Sequence, residues 1–141
     1  MNVYFACSIT GGREFESVFQ AITGTLLADG HEVPTANLAD PGVKAREGAV
    51  NPDEVFERDT AWIRGCDALV AEVSTPSHGV GFEVAYALNL NKAVLCVFRE
   101  GQNISKMLTG NSHPQLQVMS YHDPEGAVAI IRSFLKGLVL L

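Results

Sequence analysis

No stretch of this sequence stays apolar over the roughly 18 or more residues that a membrane-crossing helix needs. No tract of lysine and arginine occurs either. Acidic residues outnumber basic ones, 16 to 10, for a formal net charge of −6. A nucleic-acid polymer, gripped through its phosphates, would call for the opposite balance, so none is expected as a partner. A small anion stays open, because backbone N–H groups bind one whatever the net charge. Cysteine is scarce and unpatterned. Cys7, Cys66 and Cys96 form no CxxC pair, and His31, His78, His113 and His122 show no metal-like spacing, so no metal site is expected. The odd cysteine count and the lack of a signal peptide point to buried thiols in a reducing cytoplasm. Strand-like residues follow Met1 at once and leave no room for a targeting segment. There is no Walker lysine and no GxGxxG fingerprint, so nucleoside triphosphates and dinucleotide cofactors lose ground.

What is present reads as one domain over residues 1–141. The chain is 47% hydrophobic and 18% charged, an ordinary globular composition. Residues 2–7, NVYFAC, predict a short buried strand. Over 14–29, Phe15, Val18, Phe19, Ile22, Leu26 and Leu27 recur at helical period, and Gly30 ends that helix. HEVP, 31–34, predicts a second strand. Residues 35–50 have no clear period and read as a polar loop. Asn51 and Pro52 open a helix to Gly65, with Asp53 and Glu54 in its first turn. Strands are predicted at 67–73, 92–98 and 116–121, a helix at about 81–90, and a closing amphipathic helix at 123–137. Five alternations of strand and helix predict an α/β fold, an open five-stranded, mostly parallel, doubly wound sheet with helices on both faces. Ligands of such sheets bind at the carboxyl ends of the strands, near the switch in strand order. SITGGR after the first strand and STPSHGVGFE after the third should face each other there.

The second of those loops carries the chemistry. Gly79 and Gly81 allow close backbone approach, the helix that follows offers free N–H groups, and Ser77 adds a hydroxyl, a set that suits a phosphate. Glu83 comes one turn into that helix, flanked by Gly81, Phe82, Val84 and Ala85. Either it complements the helix dipole in solvent, or it is an ionised, oriented carboxylate in the cleft, as a nucleophile must be. Asp59 shares the inward face of its helix with Val55 and Phe56, so it is either capped by a partner or functional. Tyr4 lies mid-strand, as a core tyrosine or with its hydroxyl at the switch point. Glu72 could stand behind these acids; Asp67 suits a turn. Arg13 either serves an anion in the cleft or pairs with Glu14 or Glu16. Two acids beside an anion site suggest glycosyl chemistry through an oxocarbenium-like state and a covalent intermediate.

YFACSITGGRE, RDTAWIRGCDALVAEVSTPSHGVGFEVAYAL and NKAVLCVFR together resemble the 2′-deoxynucleoside 5′-phosphate N-hydrolase family, within the nucleoside 2-deoxyribosyltransferase superfamily. The resemblance covers nearly the whole chain and is weakest over 35–50 and 110–115. It implies cleavage of deoxynucleoside monophosphates to free base and 2-deoxyribose 5-phosphate, with no cofactor. It implies Glu83 as nucleophile, Asp59 against the deoxyribose and leaving base, and Tyr4 holding both. It implies Ser77 and Gly79 at the 5′-phosphate, with Ser8, Gly11 and Arg13 of the first loop nearby. Ser105 would serve the neighbouring subunit's phosphate site, so a homodimer with shared sites is implied. Thr10 stands where some members carry an arginine, and Asn37 where some carry a histidine. Deoxyribosyltransferases keep an acid or amide near the phosphate loop for a free 5′-hydroxyl; Ser77 stands here instead, which favours the monophosphate. The alternatives are a deoxyribosyltransferase, a ribonucleoside monophosphate hydrolase and a nucleotide-binding module without turnover. Against the last, a pure binder has no need of two desolvated carboxylates.

Overall fold

A computed structural model describes residues 1–10, 12 and 14–140. Strand β1, Val3–Ala6, leads into helix α1, Glu16–Ala28. A 3-10 turn at Ala36–Ala39 and a short helix α2, Val43–Gly48, precede helix α3, Pro52–Gly65. Then come β2, Ala68–Glu72; α4, His78–Asn89; β3, Ala93–Arg99; α5, Lys106–Thr109; β4, Leu116–Tyr121; and α6, Pro124–Val139. The four strands lie in the order β1-β2-β3-β4, all parallel.

The fifth strand, expected at HEVP, is reduced to one parallel bridge between Asn2 and Glu32. Val3 N–H donates to Glu32 O at 2.8 Å and Glu32 N–H to Met1 O at 2.9 Å. At the next step Phe5 N–H donates to the Thr35 hydroxyl, 3.0 Å away, so a side chain takes the place of a strand carbonyl. Pro34 has no N–H to extend a ladder, and the chain turns into the 3-10 segment. The chain therefore still runs outside β1 before it crosses to β2. Its direction across the sheet reverses between β1 and β2, which fixes the switch point there.

Alternation along the strands sorts the core into two halves. Val3, Phe5, Ala68, Val70, Leu95 and Val97 point to the face covered by α1 and α6. Tyr4, Ala6, Leu69, Ala71, Val94 and Cys96 point to the face covered by α3 and α4. Every residue of β1 and β2 is buried, as strands covered on both faces require. Local signals set the helix ends. Gly30, at φ 81°, closes α1 in the left-handed conformation, and Asp123 accepts from Gly126 N–H at 2.7 Å to cap α6. Residues 35–50 carry more structure than the expected loop. Arg46 fastens them by donating to Asn37 O and Asp40.

Candidate active site

Tyr4 is even-numbered on β1, so its side chain points to the α3/α4 face, on a strand that borders the switch point. Its hydroxyl donates to Glu83 Oε1 at 3.0 Å. Asp59 of α3 and Glu83 of α4 open into a common pocket of about 200 Å³, with Gly79, Thr60 and apolar walls that include Phe56 and Phe82. The structure thus brings Tyr4, Asp59, Glu83 and Gly79 together. The helix begins at His78, three residues earlier than expected, because Ser77 caps it: its Oγ accepts from Val80 N–H at 3.3 Å. Glu83 is therefore a turn and a half inside α4, where the dipole no longer supports ionisation. Burial instead raises its pKa from the usual carboxylate range to about 7. The Tyr4 hydrogen bond and Arg58 act the other way, while Asp59 adds to the rise. Asp59 is also raised, chiefly by burial, with Arg58 opposing. Burial and the two carboxylates push Tyr4 well above the normal phenol range, so it stays a hydrogen-bond donor.

The other expected residues divide. Ser77 and Ser105 line a second, larger cavity of about 680 Å³ on the other side of the first turn of α4. Ser105 caps α5, accepting from Met107 N–H at 3.2 Å. Ser8 is fully buried just past β1. Gly11 and Arg13 lie outside the described residues. The two loops do approach each other: a Cβ placed on Gly12 would come within 3.6 Å of Thr75 Cγ2. Glu72 does not join the site. It points to the opposite face of the sheet, where Tyr121 donates to it at 3.0 Å. Asp67, expected in a turn role, instead accepts from Asn2 N–H at the start of the neighbouring strand. The cysteines are all buried as thiols, and burial pushes the Cys96 thiol up to about 12. No cluster of His, Cys, Asp or Glu among the described residues could hold a metal. No helix among them is long and apolar enough to cross a membrane.

Sequence reasoning missed three residues. Arg58 donates from Nε to Asp59 Oδ1 at 2.8 Å and, through both terminal nitrogens, to Glu47 at 3.1 and 2.8 Å. The signal for Arg58 was its place beside Asp59 in ERDTAW; nothing in the aperiodic 35–50 segment marked Glu47. Thr75 lines the larger cavity with its hydroxyl oxygen buried and without a partner among the described residues.

Residues 3–126 match the family model described as nucleoside 2-deoxyribosyltransferase. A mouse 5-hydroxymethyl-dUMP N-hydrolase is 39% identical over 138 residues, covering 94% of this chain and 79% of the mouse protein. A provisionally named 2′-deoxynucleoside 5′-phosphate N-hydrolase 1 of Methanococcoides burtonii is 36% identical over 118 residues, 84% of this chain and 97% of the relative. The structure of a Clostridium botulinum CMP N-glycosidase superposes with a TM-score of 0.73 over 95% of this chain and 99% of its own, at 17% identity, a likeness of fold. A family match over most of the chain, with relatives above a third identical over 84% and 94% of it, makes this protein a member of the nucleoside 2-deoxyribosyltransferase family.

Proposed function

We propose that this protein hydrolyses the N-glycosidic bond of 2′-deoxynucleoside 5′-monophosphates, releasing free base and 2-deoxyribose 5-phosphate. The observation that carries this reading is that Glu83, held from behind by the buried Tyr4 hydroxyl, opens with Asp59 into one pocket. Relatives named as deoxynucleotide N-hydrolases support the substrate class.

In this reading Tyr4 holds Glu83 Oε1, and Oε2 attacks the anomeric carbon. The C1′–N bond breaks and its electron pair leaves with the base, which takes a proton from Asp59 or from solvent. Water then attacks C1′, giving its proton to Asp59, and the Glu83 carboxylate is released. Asp59 suits both steps because burial raises its pKa toward the working range. The 5′-phosphate would meet the start of α4. There Ser77 keeps its hydroxyl proton while its oxygen caps the helix, and the amides of His78 and Gly79 precede the hydrogen-bonded turns. Thr75, half-buried at the same cavity with its hydroxyl oxygen unpartnered among the described residues, is a further donor for it. A homodimer in which Ser105 serves the partner's phosphate belongs to this proposal, and sedimentation reads the oligomeric state.

The test is base release, followed by chromatography, from the four deoxynucleoside monophosphates, the matching deoxynucleosides and the ribonucleotides, with and without a second free base. Base and deoxyribose 5-phosphate from the deoxynucleoside monophosphates alone is the expected result. A new nucleotide built on the added base would make the protein a transferase. Silence on every substrate would overturn the hydrolase.

A further inference from the structure

Neighbouring residues on an α-helix do not face each other, yet Arg58 reaches Asp59 at 2.8 Å. The guanidinium bends back over its own helix, and what holds it there comes from outside α3. Glu47 of α2 takes both terminal nitrogens in a bidentate pair, and the guanidinium carbon lies 5.0 Å from the centre of the Trp62 ring. Three N–H groups of the fork are thus aimed at two carboxylates. The arrangement is not a solvated surface pair of negligible worth. The side chains of Glu47, Asp59 and Arg58 retain 13%, 14% and 28% of their exposure.

We propose that Arg58, fastened by Glu47, is a positioning residue of the reaction: it fixes the Asp59 carboxylate in one orientation and sets a positive charge beside the Asp59–Glu83 pair. The proposal rests on the reading of Glu83 as nucleophile. The groups that face Glu83 are Tyr4 from β1 and Asp59 and Arg58 from α3, with Glu47 from α2 behind them. Asp59 and burial both favour the protonated, unreactive form of Glu83; Arg58 and the Tyr4 hydroxyl favour the ionised one. Removing Arg58 therefore makes Glu83 ionise at higher pH, and the acid limb of the rate profile moves up with it. The same fork ties α2 to the wall of the site, which gives the aperiodic 35–50 segment a function.

Arg58→Ala, Arg58→Lys and Glu47→Gln would be compared with the wild-type chain in kcat and KM across pH, on the deoxynucleoside monophosphate the wild type cleaves fastest. Arg58→Ala should lower kcat roughly ten- to a hundredfold, move KM less, and raise the acid limb by about one unit. Arg58→Lys should keep the acid limb near its wild-type place without recovering kcat, because an ammonium carries the charge but not the fork. Glu47→Gln should fall between. An unchanged kcat and acid limb in Arg58→Ala would overturn the proposal, and so would a limb in Arg58→Lys that moves as far as in Arg58→Ala. Thermal unfolding identifies a variant that fails to fold; Arg58→Lys then carries the kcat comparison. A readout free of turnover is the carboxyl titration of Asp59 followed by carbon NMR. It should rise by about one unit in Arg58→Ala; no movement overturns the latch. A shifted titration in a protein that cleaves nothing would uphold the latch and remove the hydrolase reading.

Discussion

Glu83 and Glu72 each accept a tyrosine hydroxyl at 3.0 Å near the carboxyl end of the sheet, on opposite faces of it, and burial raises the pKa of both. Their surroundings differ in what is left open. Glu72 is 1% exposed and accepts from Ser74 N–H and the Ser74 hydroxyl as well as from Tyr121. Ser74 Oγ in turn accepts from Arg99 N–H at 2.8 Å, so the cluster stitches β2, β3 and β4 together and opens nowhere. Glu83 has one tyrosine on one oxygen, a second carboxylate nearby and a pocket before it. A perturbed carboxylate is thus no mark of chemistry by itself. The mark is a perturbed carboxylate with an oxygen turned to open space.

Substitution at the two positions should separate them most widely. Glu83→Ala should lower turnover by about 10⁴-fold or more, the range expected for loss of the proposed covalent nucleophile, with the fold intact. Glu72→Gln should stay within about tenfold of wild type, since an amide still accepts from Tyr121 and Ser74. Equal losses at the two positions would abolish the distinction. Stability should run the other way. Glu72→Leu leaves the donors of Ser74 and Tyr121 buried and unpaired, at a cost of about 3 kcal/mol or more, or a fall in Tm of roughly 6–12 °C. A Glu72→Leu protein as stable as wild type would show that the cluster is not structural.

The pH dependence of stability sharpens the same contrast. Glu83 has a folded pKa raised from 4.5 to about 7, so the folded state binds its proton more tightly than the unfolded chain. That contribution is fully present below about pH 4.5 and is lost as pH rises through 7. Its size is of order 3 kcal/mol. Glu83→Gln stays neutral and escapes the loss. Its Tm should therefore exceed wild type by about 6–12 °C at about pH 8, and match it more closely at about pH 5. An advantage of the same size at both pH values would mean that Glu83 is not held above its usual range. An inactive variant more stable than wild type is what desolvation of the proposed nucleophile predicts.

The parts of this site that the sequence made legible are those built on period and punctuation. Tyr4, Asp59 and Glu83 lie on regular elements whose alternation or helical period fixes where their side chains point. The fifth strand was lost because its ladder ends on a side-chain hydroxyl, and no strand pattern announces that Thr35 will replace a carbonyl. The start of α4 was placed too late because the glycines of SHGVGFE read as loop, whereas Ser77 caps the helix and both glycines fall inside it. That shift moved Glu83 away from the dipole and left burial in control of its pKa. Glu47 was illegible for another reason. Its contact with Arg58 joins residues 11 apart on two helices, one of them only six residues long and without amphipathic signal.

Ser77 gives the smallest effect and the finest division between fold and function. Its oxygen caps α4 at Val80 N–H, and its proton is the part proposed for the 5′-phosphate. Ser77→Ala loses both; Ser77→Asp keeps a cap acceptor but sets a negative charge against the phosphate; Ser77→Gly loses the side chain at little cost to the helix. The Ala variant should lose about 1 kcal/mol of stability and the Gly variant only a few tenths, while Asp stays near wild type. On monophosphate substrates the order should differ: Asp should raise KM most, Ala and Gly less and to a similar degree, with kcat nearly held. On the free deoxynucleoside the three should behave alike. If KM instead followed stability, with Asp harmless and Ala the worst, Ser77 would be a cap and nothing more. The phosphate would then have to be held by the buried hydroxyl of Thr75 and the open amides of α4.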